Sequence, residues 1–234
     1  LTAPVQDQVI KMGEETAAAV QWLSAGLLDD SVDVIYMDGT TETTIYDGTF
    51  NDESFNEVTY ISGANVRDWT PLTALNPSED GRIKVVGGIE QTLGVYTGLS
   101  SRFTLQGVRI VEPTTGSSFD IDTSRNIQWI NAGFEAGARA RMYLSTDGGA
   151  TFDTTPLFGT DTALDLKTRS WLVALGTAPT TNAVVKLSVV NDPTTFDAYS
   201  LPFTLKGLKV DVPTVGTTWA LGATETIEVL AAGA

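Results

Sequence analysis

The chain has neither cysteine nor histidine. Without thiols there is no disulfide framework and no thiolate chemistry. Without imidazole the commonest general base and metal ligand is gone, and no serine can be activated by the usual partner. Cations are scarce too: 14 Lys and Arg stand against 29 Asp and Glu, for a net charge of −15. A field of that sign repels phosphate backbones and argues against a nucleic-acid partner. Long apolar runs are missing as well, since no stretch approaches the roughly 20 residues that span a bilayer. The first residue is Leu1 and no basic-then-apolar leader precedes it, so a mature product or a segment of something larger is expected. The lack of cysteine leans toward the cell surface, because cytosolic proteins usually carry a few thiols.

What is abundant is threonine, 34 of 234 residues, with glycine at 22 and charged residues at only 18%. That is the composition of strands and turns rather than of amphipathic helices. Glu14 to Leu28, which holds Ala17, Ala18, Ala19 and Leu23, could be helical on propensity alone. Its match to a strand further along the chain favours a strand.

That match belongs to an internal repeat. Phe103-Thr104-Leu105-Gln106-Gly107-Val108-Arg109-Ile110 returns 100 residues later as Phe203-Thr204-Leu205-Lys206-Gly207-Leu208-Lys209-Val210. Each run leads to a proline (Pro113, Pro213) and then to Ile127-Gln128-Trp129 or Ile227-Glu228-Val229. An earlier, more diverged copy keeps the landmarks in order: Pro4, then Val20-Gln21-Trp22 with Gly26, Arg67-Asp68-Trp69 answering Arg169-Ser170-Trp171, and Ile83-Lys84-Val85 answering Val185-Lys186-Leu187. A period of this size is one small domain rather than a solenoid unit. The changing offsets place insertions in loops between fixed strands. The expected organisation is a diverged repeat over 1–106, a second over 107–206, and the first strands of an incomplete third over 207–234. Two strands cannot bury a core alone, so the third copy is completed either by chain outside this numbering, the favoured reading, or by another subunit through donated strands.

Within the second copy, strand signals recur about every ten residues with turn residues between them. They fall at 108–112, 125–130, 138–144, 170–175, 183–190 and 199–205. Ala140, Met142 and Leu144 alternate with Arg139, Arg141 and Tyr143, and Val185, Leu187 and Val189 alternate with Lys186 and Ser188. One buried and one wet face per strand predicts an all-β fold of tandem antiparallel sandwiches. Trp22 and Trp129 are placed at the centre of each sandwich, with Val229 in that position in the third copy.

Ser145-Thr146-Asp147-Gly148-Gly149-Ala150-Thr151-Phe152 fits the Asp-box pattern S-x-D-x-G-x-T-[W/F]. Asp147 can accept from turn N–H groups, Gly149 permits a positive φ, and Phe152 turns back to pack. The pattern marks a hairpin and says little about function. Propeller blades would repeat at roughly 40 to 50 residues, about half the period here. In the first copy the equivalent hairpin, Tyr36 to Thr40, keeps only the Asp38-Gly39 turn.

Acids cluster at Asp29, Asp30, Asp33 and Asp38, and pair as Asp120 with Asp122, Asp161 with Asp165, and Asp192 with Asp197. None follows a calcium-loop spacing, and solvated loop charge is the expected role. If calcium stiffens the joints, Glu112 and Asp211 beside the repeated prolines are the better candidates; otherwise no cofactor is expected. Nothing singles out one carboxylate pair for glycoside hydrolysis, and the glycine pairs at 87–88 and 148–149 fit no phosphate loop. No catalytic, cofactor-binding or metal site is therefore assigned, and the chain is read as a non-enzyme. Trp69, Trp171, Phe119 and Trp219 could form a glycan platform, but their recurrence at equivalent places argues for packing.

The string Pro-x-x-Gly-x-x-Phe/Trp, an Ile-Gln-Trp-like strand, a loop ending in Gly and a Tyr-Leu-Ser-Thr-Asp-Gly-Gly hairpin resembles Ig-like surface repeats of the Kre9/Knh1 type and their bacterial and archaeal relatives in envelope and surface-layer proteins. The matching residues are Pro113, Gly116, Phe119, Ile127, Trp129, Gly133 and Ser145 to Phe152, then Pro213, Gly216, Trp219 and Ile227. The first copy keeps Pro4, Trp22 and Gly26, with Met12-Gly13 in place of the aromatic spacing. The resemblance implies Ig-like sandwiches in an extracellular setting and no shared catalytic residues. The expected function is structural: a surface layer, sheath, filament or adhesin stalk that associates with other copies or repeats. A carbohydrate-binding or adhesion module attached to an enzyme or adhesin is the alternative.

Overall fold

In the computed structural model, residues 1–24, 32–46, 63–88, 95–190 and 196–233 are described. Asp29, Asp30, Asp192 and Gly26, named above, lie outside these residues. The chain divides into two compact units, Leu1–Val108 with Asn131–Phe134, and Arg109–Ile130 with Glu135–Ala234.

The first unit holds β1 (Val9–Lys11), β2 (Thr16–Ser24), β3 (Val32–Met37), β4 (Glu42–Tyr46), β5 (Gly63–Trp69), β6 (Ser78–Gly88), β7 (Val95–Leu99) and the first part of β8 (Phe103–Glu112). β2 pairs with β5, while β4, β3, β6 and β8 form the facing sheet, with β7 on β6 and β1 parallel to β8. Thr16–Ser24 is thus extended despite its three alanines. Val20 and Trp22 are buried there, and burial on a two-faced sheet overrides weak helix propensity.

The second unit repeats this order with β9 (Ser118–Asp120), β10 (Ser124–Ala132), β11 (Arg139–Ser145), β12 (Thr162–Ala163), a single 3-10 turn (Leu164–Leu166), β13 (Thr168–Leu172), β14 (Thr180–Val190), β15 (Phe196–Tyr199) and β16 (Phe203–Val212). β10 pairs with β13; β12, β11, β14 and β16 form the other sheet, with β15 on β14 and β9 parallel to β16. A last strand, β17 (Glu228–Ala232), pairs with Gly207–Val212 of β16. Both units are Ig-like antiparallel β-sandwiches, with short parallel additions at one edge of each. Among the described residues no helix is long and apolar enough to cross a membrane.

The two cores use the same space differently. In the first unit Tyr36, Trp69 and Phe103 form an aromatic cluster with ring centroids 5.7 to 6.2 Å apart. In the second, Phe119 meets Trp171 at 6.2 Å and Phe203 at 5.2 Å. By strand register Tyr36 corresponds to Leu144, and Ile10 to Phe119. The aromatic has therefore moved from β9 to β3 while the total volume is kept, a change that cores tolerate. This accounts for the missing aromatic near Met12 in the diverged copy.

The continuous strand expected over 199–205 is broken instead into β15 and β16. Pro202 has no N–H to give a ladder, and the gap is closed by a side chain. Ser200 donates its N–H to the Val185 carbonyl at 2.8 Å, and its hydroxyl accepts from the Val185 N–H at 2.9 Å. Ser100 does the same for Ile83, at 2.8 and 2.9 Å, between β7 and β8. Both serines are buried. Replacing Ser200 with Ala leaves the Val185 N–H unpaired inside the core, and a loss of about 1 to 3 kcal/mol is expected in urea unfolding. Substitution of exposed Ser170 should change stability far less, and equal losses at the two sites would contradict the account.

Candidate functional site

Two turn carboxylates, Asp147 and Asp38, are tightly organised by hydrogen bonds. Asp147 sits between β11 and the loop that follows it. Its Oδ1 accepts from the Ser145 hydroxyl at 2.6 Å and from the Thr151 N–H at 2.9 Å, and its Oδ2 accepts from the Thr151 hydroxyl at 2.5 Å. Ser145 Oγ in turn accepts from the Gly149 N–H at 2.8 Å. Gly148 and Gly149 both have positive φ, 80° and 90°, which an L side chain rarely adopts. Phe152 folds back to lie 5.9 Å from Tyr199, with Lys186 Nζ 5.1 Å from its ring centre.

Asp38 in the first unit is more heavily bonded than its sequence suggests. Its Oδ1 accepts from the Thr40 and Thr41 N–H groups and the Thr40 hydroxyl, and its Oδ2 from the Thr41 hydroxyl and the Asn76 amide, all within 2.6 to 2.8 Å. The expectation that this hairpin keeps only an Asp-Gly turn is corrected here. Asn76 lies 38 residues away in sequence, so no local pattern could have shown it.

Both carboxylates are held in the ionised form. Hydrogen bonds from Ser145 and Thr151 bring the Asp147 pKa down to about 2. For Asp38, partial burial pushes the pKa up, but the Thr41, Asn76 and Thr40 donors outweigh it and hold the group well below the usual carboxylate range. Carboxylates whose lone pairs are occupied in this way are poor proton acceptors, so neither is suited to general base catalysis. Both folded pKa values lie below the unfolded value of about 3.9, so the stability they contribute is present above about pH 4; the Asp147 part is lost as pH falls through about 2, and the Asp38 part in the same direction. Asp147→Asn should flatten the acid limb of a stability-against-pH curve over that window and leave the region above pH 5 with an unchanged slope. An identical acid limb in the variant would refute the assignment.

The other residues singled out from sequence are scattered. Trp22 and Trp129 are buried, as are Trp69, Trp171 and Phe119, which therefore present no ring face to a sugar; Trp219 is partly exposed. Glu112 accepts from the Ser117 hydroxyl at 2.8 Å, and Asp211 pairs with Lys209 at 2.9 Å. Asp161 pairs with Arg141 at 2.7 Å and Asp120 with Arg125 at 3.4 Å. Among the described residues no three acids converge on one point.

A cleft of about 380 Å³ in the first unit is lined by Glu15, Thr44, Tyr46, Asp68, Trp69 and Leu75. Two of its polar groups are engaged internally: Tyr46 donates to the Asp68 carbonyl at 2.5 Å, and Asp68 Oδ1 accepts from the Ala18 N–H at 2.7 Å. That second bond holds Ala18 at φ 51° in a β2 irregularity.

No family model matches the chain, and no curated protein matches it. Among solved structures, the fibronectin(III)-like modules of CbhA from Clostridium thermocellum align over 86% of this chain and 91% of theirs, at 10% identity and a TM-score of 0.28. The N-terminal four Ig domains of Dscam1 isoform 6.9 align over 86% of this chain and 44% of theirs, at 12% identity and a TM-score of 0.27. This chain thus spans less than half of that structure. Likeness at this level carries nothing about activity or partners.

Proposed function

We propose that this chain is a structural, non-catalytic stretch of a large extracellular repeat protein, read as copies over 1–106 and 107–206 and the start of a third over 207–234. Such a protein would build a surface layer, sheath, filament or adhesin stalk through contacts between domains and subunits. The observation that carries this reading is β16. Its first half lies in the sandwich, pairing Phe203 with Ala183 and Leu205 with Thr180. Its second half, Gly207–Val212, pairs with β17 and belongs to the next repeat. One strand serves both, with no linker residues between, and a joint without a linker restricts the freedom of neighbouring modules. The hairpin at Ser145–Phe152, taken as an Asp-box, then serves as a clamp on one sandwich. Antibody raised against the chain and used in immuno-electron microscopy should decorate ordered polymers at the cell surface. Labelling confined to the cytosol, or to a soluble enzyme, would defeat the reading.

A further inference from the structure

The ribbon formed by Gly207–Val212 and β17 carries a naked core face. Val210 lies opposite Val229 and Leu208 opposite Ala231. Leu208, Val210, Ile227 and Val229 are 74, 56, 64 and 52% exposed, whereas Val108, Ile110, Ile127 and Trp129, which occupy these positions 100 residues earlier, are 1, 6, 0 and 1% exposed. The likeness extends to the backbone. The peptides before Pro113 and Pro213 are both cis, Gly116 and Gly216 both have φ 88°, and Gly133 and Gly233 both have positive φ. The turn after each proline is closed alike, by Ser117 on Thr114 and by Thr217 on Thr214. Trp219 stands where buried Phe119 stands in the second unit, yet is 43% exposed. A contiguous apolar patch of this kind marks a contact surface.

We infer that this face docks the second sheet of a further sandwich of the same design, made of strands that alternate aliphatic and polar residues as β11 and β14 do. The chemistry of the occupant follows from the second unit, where Ala140, Met142, Leu144, Val185, Leu187 and Val189 supply that layer. A second copy of the present chain cannot supply it without opening its own core, because those six side chains are already buried. This inference rests on the repeat reading above and adds which residues meet the new layer.

The test extends the full chain after Ala234 with a copy of Glu135–Leu205, which continues the 100-residue register directly. Protection of the Gly207–Val212 and Glu228–Ala232 amides from hydrogen exchange should rise on the order of 100-fold or more, and Trp219 emission should shift to the blue. Because Val229 is smaller than Trp129, a second extended chain carrying Val229→Trp is measured alongside. If both extended chains keep a folded second unit and leave the ribbon amides and Trp219 unchanged, the inference is wrong. It also fails if the unextended chain protects the ribbon by self-association in sedimentation velocity, or on phosphatidylcholine vesicles. Protection in the extended chain with no surface polymer in microscopy would instead uphold the docking face and sink the array.

Discussion

Trp129→Ala should remove about 4 kcal/mol or more from the stability of the second sandwich. Trp129 is the largest fully buried side chain, and truncating a core Trp to Ala costs roughly 3 to 5 kcal/mol through lost burial and an unfilled cavity. It is also a tether. Its indole N–H donates to the Leu164 carbonyl at 2.8 Å and its backbone N–H to the Lys167 carbonyl at 3.0 Å. These two bonds hold both ends of the 3-10 turn, where Lys167 has φ 57°. Losing the indole leaves the Leu164 carbonyl with only the Lys167 N–H, at 3.2 Å, and the lost hydrogen bond adds about a further 1 kcal/mol.

Trp22, its counterpart, is equally buried but has no partner for its indole N–H among the described residues. The conservative substitution therefore separates the pair: Trp129→Phe should lose both packing and a hydrogen bond, whereas Trp22→Phe should also relieve a buried unpaired donor and cost less. Urea unfolding with amide exchange at Val185 and Leu187 for one unit, and at Ile83 and Val85 for the other, resolves the two. Equal costs for the two Phe variants would show that the Leu164 bond contributes nothing.

Most of the sandwich was legible because its signals are local. Alternation along β11 and β14 requires only neighbouring residues, and the Asp147 hairpin writes all of its donors within eight positions. What stayed hidden depends on residues far apart in sequence. Asn76 reaches Asp38 only after β3 and β6 have paired. Tyr36 can replace Phe119 only because β1 and β3, far apart in sequence, join one sheet and line one core. Ser100 and Ser200 do leave a trace, the same 100-residue offset as the Phe-Thr-Leu motif, but a serine between two strands reads as an ordinary turn until its hydroxyl is seen on a strand N–H. Trp219 and its neighbours show the converse, since their apolar pattern matches a core that the described residues do not close.

The repeated glycine in Phe-Thr-Leu-x-Gly has a reason that the sequence shows only as recurrence. Neither Gly107 nor Gly207 has a positive φ, so conformational freedom is not the cause. Space is. A Cβ on Gly107 would lie 2.2 Å from Met12 Sδ and 2.9 Å from its Cγ, and one on Gly207 would lie 2.8 Å from Ile121 Cδ1. Both side chains arrive by the same route, because Met12 donates its N–H to the Gln106 carbonyl and Ile121 to the Lys206 carbonyl, each at 2.9 Å, at the end of the parallel pairing with β8 or β16. Each sandwich is thus closed by an apolar side chain laid over the strand that leaves it.

Gly107→Ala should therefore cost about 2 to 3 kcal/mol, the upper part of the overpacking range, since Met12 is buried and must be displaced. Gly207→Ala should cost less, because the approach of Ile121 is 0.6 Å longer (2.8 minus 2.2 Å). The decisive measurement is a double-mutant cycle. Met12→Ala alone opens a cavity, yet combined with Gly107→Ala it should recover part of both losses, with a coupling of roughly 1 kcal/mol or more. Strict additivity would mean that the glycine is kept for some reason other than the side chain resting on it.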